Sequence, residues 1–126
     1  MKINYLLGDF LIRVKNTAMA KNKTLETMSN KQIVAVSNAL KKLGYFDEVK
    51  KSGKKIVVSL SFRYKRPVLT NLKLVSKPGL RIYIDTLELS KRRKPSIYLI
   101  STPKGILSSK EALKQKTGGE VIAEIL

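Results

Sequence analysis

The chain has 126 residues, of which 26 are Lys or Arg and nine are Asp or Glu, so its formal charge is +17. That length fits one compact domain or two small lobes, and a hydrophobic fraction of 43 % is too high for a chain that stays disordered. There is no Cys and no His, which removes disulfides, a thiolate nucleophile and the commonest metal ligand. Carboxylates, Lys and Tyr remain as possible catalytic groups, so composition does not exclude an enzyme but disfavours one, and we expect no metal, no cofactor and no enzyme.

The first half of the chain alternates between the hydrophobic periodicities of helices and of strands. In chain order these predict a helix over residues 3–18, a strand over 24–28, a helix over 30–43 and a hairpin of 45–51 with 54–62. Ser29 and Gln32 have the spacing of a capping box for the second helix, and Gly44 stands where a left-handed C-cap belongs.

A basic segment with a proline, residues 63–67, is the candidate linker to a mainly β second part of the chain. Pro78 followed by Gly79 suits the middle of a type II turn, and Ser108 with Glu111 forms another capping box. The elements predicted there are a strand over 69–75, a returning strand over 80–84, a loop or single helical turn over 85–95, a strand over 96–101, a helix over 109–116 and a strand over 120–126.

This order of elements predicts an α+β fold with two small lobes. Residues 1–64 are expected to form an α-β-α-β-β lobe. Residues 65–126 are expected to form a mainly β lobe with one short helix.

The excess of positive charge indicates a polyanionic partner, because uncompensated charges repel one another in a small protein. Residues 1–71 hold 15 Lys or Arg against four acids, and residues 72–126 hold 11 against five, so both lobes are expected to contact it. Lysine supplies 20 of the 26 cations, which suits diffuse phosphate contacts. The sequence has neither an apolar span nor a secretory signal pattern, so we expect a soluble intracellular protein and no membrane association.

A short turn rich in hydroxyl groups is a candidate for specific recognition. Ser101, Thr102, Pro103, Lys104 and Gly105 place two hydroxyls and a cation in a tight loop that can approach RNA 2′-hydroxyls closely. The alternative is an ordinary hydroxyl-rich turn, which composition alone favours.

Two further features of the second lobe suit nucleic acid. In the predicted strand, Arg81 and Tyr83 share one face while Leu80 and Ile82 share the other, so the polar pair could stack on nucleotides or hold phosphate. Glu120 is an unusual acid for an anion-binding surface. It anchors a neighbouring cation, accepts from a base amino group, or is simply solvated.

Taken together and in order, these stretches resemble the bacterial-type small-subunit ribosomal protein S8 family. The resemblance is carried by Val75–Tyr83, Ile100–Leu107 and Gly118–Ile122, and the segment Asp9–Asn16 adds to it. The similarity runs along nearly the whole chain.

The resemblance implies a structural component of the small ribosomal subunit that binds an internally looped helix in the central domain of 16S-type ribosomal RNA and helps its assembly. The RNA contacts it implies are Ser101, Thr102, Lys104, Gly105 and Glu120, supported by Lys77, Pro78, Gly79, Arg81 and Tyr83. Candidate phosphate contacts are Arg92, Arg93, Lys94, Arg13, Lys15 and Lys31. The resemblance also implies S5-like and S17-like protein neighbours, no small-molecule substrate, and a cytoplasmic ribosome, with an organellar one still open.

Two departures from the family pattern concern the RNA-binding loops. Pro103 stands where the family often has a hydroxyl or amide residue, and it removes a backbone N–H. Residues 91–96 replace a stretch that usually contains glycine, so that loop is expected to offer extra positive charge to phosphate.

Two other functions remain as alternatives. A general double-stranded RNA or nucleic-acid-binding protein without ribosomal specificity would fit the charge equally well. An enzyme that uses carboxylates would need a pair of acids on one face, whereas the adjacent Asp47 and Glu48 point to opposite faces of a strand.

Overall fold

The computed structural model describes residues 6–92 and 96–125 and confirms the α+β class. The chain divides into two compact units, Leu6–Asn71 and Leu72–Leu126, which we call the first and the second unit. Two of the candidate phosphate contacts, Arg93 and Lys94, lie outside the described residues.

The first unit confirms the predicted order of helices and strands. Its elements are α1 (Leu6–Met19), β1 (Thr24–Met28), α2 (Lys31–Lys42), β2 (Phe46–Ser52), β3 (Lys55–Leu60), β4 (Phe62–Arg63) and β5 (Arg66–Pro67). The first three strands form an antiparallel sheet in the order β1-β3-β2, with α1 against β1 and α2 against β2. The helical stripes bury Leu11 and Leu40 completely, and alternate residues of β3 bury Ile56 and Val58, so the predicted periodicities define this core.

The start of α2 differs from the predicted capping box. The N-cap is Asn30, whose extended backbone lets its side-chain oxygen accept a hydrogen bond from Ile33 N at 2.8 Å. Ser29 is excluded from that role because its own N–H continues the strand pairing, donating to Lys54 O at 2.8 Å. At the other end the prediction is confirmed, since Gly44 has φ +93° and closes the helix.

The basic segment predicted as a linker is folded as a hairpin. β4 and β5 pair directly, and the turn between them consists of Tyr64 and Lys65, both in the left-handed region at φ +53° and +64°. The side chain of Tyr64 is 92 % exposed, so this hairpin presents a ring and several cations to solvent.

Asp47 is a surface carboxylate with two local donors. The Ser61 hydroxyl donates to it at 2.6 Å and Lys23 Nζ at 3.1 Å, and these two contacts, in that order, lower the pKa of Asp47 below its ordinary value. A carboxyl whose pKa is depressed by folding stabilises the folded state above its unfolded pKa. That contribution is lost as pH falls through the folded pKa.

We therefore expect Asp47→Asn to lower the free energy of unfolding near neutral pH, with a deficit that disappears as pH falls through the lowered pKa of Asp47. Urea unfolding at a series of pH values measures this. Ser61→Ala should give the same pH dependence, because the Ser61 hydroxyl is the largest cause of the shift. A deficit that stayed constant across the pH range would contradict this role.

The second unit is built around its last described strand. Its elements are β6 (Leu72–Leu74), β7 (Tyr83–Ile84), α3 (Thr86–Lys91), β8 (Ile97–Thr102), β9 (Gly105–Ser108), α4 (Ser109–Lys114) and β10 (Gly119–Ile125). The antiparallel sheet has the order β6-β10-β8-β9, and β7 also pairs with β10. β10 therefore has β8 along one edge, with β6 and β7 in succession along the other.

The second unit departs from the prediction at three points. Residues 86–91 form a helix, α3, so the unit has two short helices among the described residues rather than one. Asp85 caps α3, because its side chain accepts a hydrogen bond from Glu88 N at 2.8 Å. β9 was not predicted. The strand expected over residues 80–84 is limited to Tyr83–Ile84, which pair with Glu120 and Gly119 of β10. Ser108 is the N-cap of α4, as predicted, with its hydroxyl accepting from Glu111 N at 3.2 Å.

Candidate nucleic-acid interface

One row of side chains crosses the sheet of the second unit on its open face. Glu120 lies opposite Tyr83 on one side and opposite Ser101 on the other, and Ser101 lies opposite Ile106. Residues opposite one another in antiparallel strands project from the same face. Tyr83 is 67 % exposed, whereas the neighbouring Ile100 is fully buried beneath α3 and α4. These four residues, which we call the sheet row, therefore present a ring, a carboxylate and a hydroxyl to a partner.

The hydroxyl-rich turn closes the hairpin of β8 and β9 beside the sheet row. Thr102 pairs with Gly105, and the Thr102 hydroxyl donates to Gly105 O at 2.8 Å and accepts from Lys104 N at 3.1 Å. Thr102 thus holds the shape of the loop through its own side chain. Pro103 and Lys104 are exposed at the tip, and Lys104 Nζ donates to Gln115 O at 3.2 Å. The turn therefore presents one cation and a fixed backbone to solvent.

The two glycines before Glu120 are required by close backbone packing. A Cβ on Gly118 would overlap Ile84 O, and a Cβ on Gly119 would overlap Ser101 O. Both neighbours are backbone atoms that cannot move aside independently. These glycines let β10 approach β7 and β8 closely enough to form the sheet row.

The turn at Lys77–Leu80 has the predicted type II form. Leu80 N donates to Lys77 O at 2.9 Å, and Gly79 has φ +83°, which a glycine adopts without strain. Leu80 and Ile82, which strand alternation places on one shared face, lie in the irregular segment before β7 instead. Leu80 is 61 % and Ile82 38 % exposed. Lys77 and Gly79 are exposed on the same turn, and Pro78 is half-buried.

A buried serine attaches this turn to β10. Ser76 is completely buried; its hydroxyl lies 2.6 Å from Val121 O and accepts from Ile82 N at 3.0 Å. Ile82 O in turn accepts from Val121 N at 2.8 Å. Sequence reasoning took Ser76 only as a turn position. The sequence shows only a short polar residue directly before Lys-Pro-Gly. That pattern fits a buried serine that bonds to the backbone as well as it fits a solvated turn residue.

Glu120 of the sheet row forms an ion pair with Arg81, which lies outside the row. Arg81 Nη1 lies 3.0 Å from Glu120 Oε2, with 44 % and 22 % of the two side chains exposed. The sequence left three roles open for Glu120. The structure shows one of them, the pairing of Glu120 with a neighbouring cation, Arg81. Arg81 and Tyr83 are both exposed beside Glu120, although of the two only Tyr83 lies in a strand.

Arg92 points toward the interior of the unit. Its guanidinium lies 3.9 Å from the centre of the Tyr98 ring, donates to Ser96 O at 2.6 Å and lies 3.4 Å from a Glu124 carboxylate oxygen. Only 12 % of its side chain is exposed. These partners hold the guanidinium inside the fold, so Arg92 is poorly placed to reach a phosphate.

The remaining candidate phosphate contacts belong to the first unit. Arg13 is exposed on α1 and donates to the Thr27 hydroxyl at 3.4 Å, Lys15 is half-buried on the same helix, and Lys31 is exposed at the start of α2. They sit on a separate unit from the sheet row, and each is a single surface cation.

Metal ligands and membrane spans were searched among residues 6–92 and 96–125. Within these ranges no group of three or more acidic side chains converges as a metal site would require. No helix in the same ranges is long and apolar enough to cross a membrane.

Together these features define a small basic α+β protein whose second sheet presents hydroxyl, aromatic and ion-paired side chains on one open face. The sequence profile of the family described as ribosomal protein S8 matches residues 6–126. The chain is 37 % identical over 131 residues to the small ribosomal subunit protein uS8 of Roseiflexus castenholzii, with 99 % of each chain covered. It is 34 % identical over 132 residues to uS8 of Chloroflexus aggregans, again with 99 % of each covered, and 37 % identical over 123 residues to uS8 of Spiroplasma kunkelii, covering 94 % and 95 %.

The chain belongs to the ribosomal protein S8 family, which confirms the resemblance carried by its motifs. Its role is structural, within the small ribosomal subunit, and it is not an enzyme.

Proposed function

We propose that the chain binds small-subunit ribosomal RNA directly, at an internally looped helix of the central domain, and thereby helps the subunit to assemble. The observation that carries this proposal is the open sheet row of the second unit with the Ser101–Gly105 turn beside it. Membership of a ribosomal family supports it, because ribosomal RNA is a polyanion that can neutralise a charge of +17.

Attraction and recognition are assigned to different groups. The exposed lysines and arginines of both units supply attraction that is independent of sequence and falls with salt. The sheet row and the Ser101–Gly105 turn are small enough to enter the wide, shallow minor groove of A-form RNA, where 2′-hydroxyls and base edges are displayed. Lys77, Pro78 and Gly79, on the turn that Ser76 attaches to β10, are the supporting contacts in this proposal.

We propose a location in the cytoplasmic ribosome, with S5-like and S17-like proteins as neighbours, as the family resemblance implies. Arg13, Lys15 and Lys31 remain phosphate contacts in this proposal, whereas Arg92 does not because its guanidinium has internal partners.

A competition experiment tests the proposal against general nucleic-acid binding. A transcript of bacterial small-subunit ribosomal RNA, bulk duplex DNA and heparin compete for the protein at moderate and at high salt. We expect the transcript alone to remain an effective competitor at high salt, because its recognition does not depend only on charge. Equal competition by all three polyanions would overturn ribosomal specificity and favour the general binding protein.

Two substitutions in the turn should separate attraction from recognition. Lys104→Ala should reduce the salt dependence of RNA binding by about one phosphate contact, because Lys104 is an exposed cation. Thr102→Ala should weaken binding of the transcript by about tenfold while leaving the salt dependence unchanged, because it removes an uncharged group that shapes the loop.

Filter binding or fluorescence anisotropy over a range of salt concentrations measures both effects. Thr102→Ser is the matched control, since it keeps the hydroxyl and should retain most of the affinity. If Lys104→Ala and Thr102→Ala both left affinity for the transcript unchanged, the assignment of the turn to RNA would be wrong.

A further inference from the structure

The turn of the β4–β5 hairpin in the first unit carries an aromatic ring that folding does not explain. Tyr64 is almost fully exposed, so both faces of its ring are open to solvent. Tyr64 and Lys65 are the two central residues of the turn, and both have positive φ. A bulky residue in the left-handed region costs free energy that Gly or Asn would not. The ring therefore makes the turn less stable and adds nothing to the core.

The cations of the same hairpin are placed where they repel one another. Arg63 and Arg66 lie directly opposite in the paired strands, Lys65 adjoins Arg66 in the turn, and all three are exposed. Like charges directly opposite in an antiparallel pair destabilise it. The sequence has no acid between Glu48 and Asp85, and no acid among the described residues forms an ion pair with any of these three cations. Their charge is left for an anion from outside the fold.

The base of the hairpin is fixed to the core of the first unit. Leu60 and Leu69, which flank the hairpin in the chain, are both buried. Val68 N donates to Ser61 O at 2.9 Å, and Ser61 N donates to Tyr45 O at 2.9 Å. The ring and the cations therefore project from an anchored element, which lowers the ordering cost of binding compared with a flexible tail.

We propose that the β4–β5 hairpin is a separate RNA contact, in which Tyr64 stacks on an unpaired base and the neighbouring cations hold the adjoining phosphates. Single-stranded RNA is bound in this way, with aromatic rings against base faces and a basic surface along the backbone. An acidic protein segment would pair with the cations but would not account for the exposed ring, so the ring favours RNA. The inference rests on the proposed function in that the RNA is that of the small subunit, and it adds a different ligand, an open base face.

A tryptophan reporter tests the stacking directly. The chain contains no Trp, so Tyr64→Trp introduces a single indole at the turn. We expect a single-stranded oligouridine and a small-subunit ribosomal RNA transcript to quench its emission, because both offer unpaired bases. Heparin and a long, fully paired RNA duplex offer anions without open base faces and should leave the emission nearly unchanged. Met19→Trp is the matched control, since Met19 is exposed on the same unit outside the hairpin and its indole should not be quenched.

Affinity measurements over a range of salt concentrations separate the ring from the charges. Tyr64→Leu should weaken binding of the oligouridine and of the transcript by about tenfold without changing the salt slope. Tyr64→Phe should retain most of the affinity, because it keeps the ring. Arg63→Gln should instead lower the salt slope by about one phosphate contact.

Tyr64→Asn separates binding from folding. Asn accepts positive φ more readily than Tyr, so this variant should have a higher urea midpoint than the wild type while it loses RNA affinity as Tyr64→Leu does. A loss of affinity together with a gain in stability cannot come from misfolding.

Two results would overturn the inference. One is wild-type affinity of Tyr64→Leu for both the oligouridine and the transcript, which would leave the hairpin to a protein partner. The other is equal quenching of Tyr64→Trp by the oligouridine and by the long duplex. A wild-type protein that bound the transcript no better than the long duplex would overturn the proposed function instead, and the oligouridine measurements would still decide whether Tyr64 stacks.

Discussion

Replacing Gly119 with alanine is expected to destabilise the protein by at least about 3 kcal/mol. A Cβ at this position would overlap Ser101 O and crowd the Thr102 Cα, both of which are backbone atoms of β8. Neither can yield without separating β10 from β8, and β10 is paired with three strands of the sheet. Denaturant unfolding measures the loss.

Gly53→Ala is the matched control for this prediction. Gly53 has φ +59°, but no heavy atom lies within 4 Å of its missing Cβ, so alanine there meets conformational strain without a clash. We expect a loss of about 1 kcal/mol for Gly53→Ala. If Gly119→Ala were as mild as Gly53→Ala, the close approach of β10 to β8 would not be needed for the fold.

Replacing Ser76 with alanine is expected to lower the free energy of unfolding by about 2 kcal/mol. The substitution removes the acceptor of the part-buried Ile82 N–H and the buried hydroxyl that lies 2.6 Å from Val121 O. Alanine fits in the space but leaves a part-buried donor and a buried carbonyl without their partner, and that penalty exceeds the value of an ordinary surface hydrogen bond. Chemical denaturation gives the magnitude, and amide hydrogen exchange at Ile82 should accelerate.

The exposed Ser90 provides the comparison. Its hydroxyl donates to Leu87 O at 2.6 Å on the surface of α3, where water can replace the lost contact. Ser90→Ala should therefore change stability by less than about 0.5 kcal/mol. Equal effects at the two serines would mean that burial of Ser76 adds nothing to its role as an anchor.

The first unit was predictable because its signals are local. Helical spacing over α1 and α2 and alternation in β3 each lie within a short window, and the hairpin of β2 and β3 joins neighbours in sequence. The exception is the N-cap of α2. Ser29 and Asn30 are both residue types that cap helices. Asn30 is the N-cap because Ser29 pairs with Lys54 of the neighbouring strand, and a local sequence motif does not show that pairing.

Much of the second unit was not predictable from local pattern. β7 has two residues and β9 four, and their strand conformation comes from pairing with other strands rather than from their own periodicity. The exposed Leu80 shows the same limit, since alternation assigns a face only where a strand continues. Arg92 was grouped with its basic neighbours, although its partners Ser96 and Glu124 lie on segments that only the tertiary fold brings together.

The sequence predicted more of the candidate site than of the second-unit sheet that carries it. Composition indicated a polyanion, and the motifs containing Ser101 and Glu120 marked the strands that the structure brings side by side. What sequence did not provide was the pairing of Arg81 with Glu120 or the anchoring by Ser76, because both join segments about 40 residues apart.

The position of β10 has a consequence for the order of events during synthesis. β6, β7 and β8 all pair with β10, which follows them in the chain, so their sheet cannot form until residues 119–125 have left the ribosomal tunnel. The pairings of β1, β2 and β3 are completed by residue 60 and can form while the rest is still being translated. We therefore expect a nascent chain to acquire protease resistance in two stages, the second of them abrupt and late.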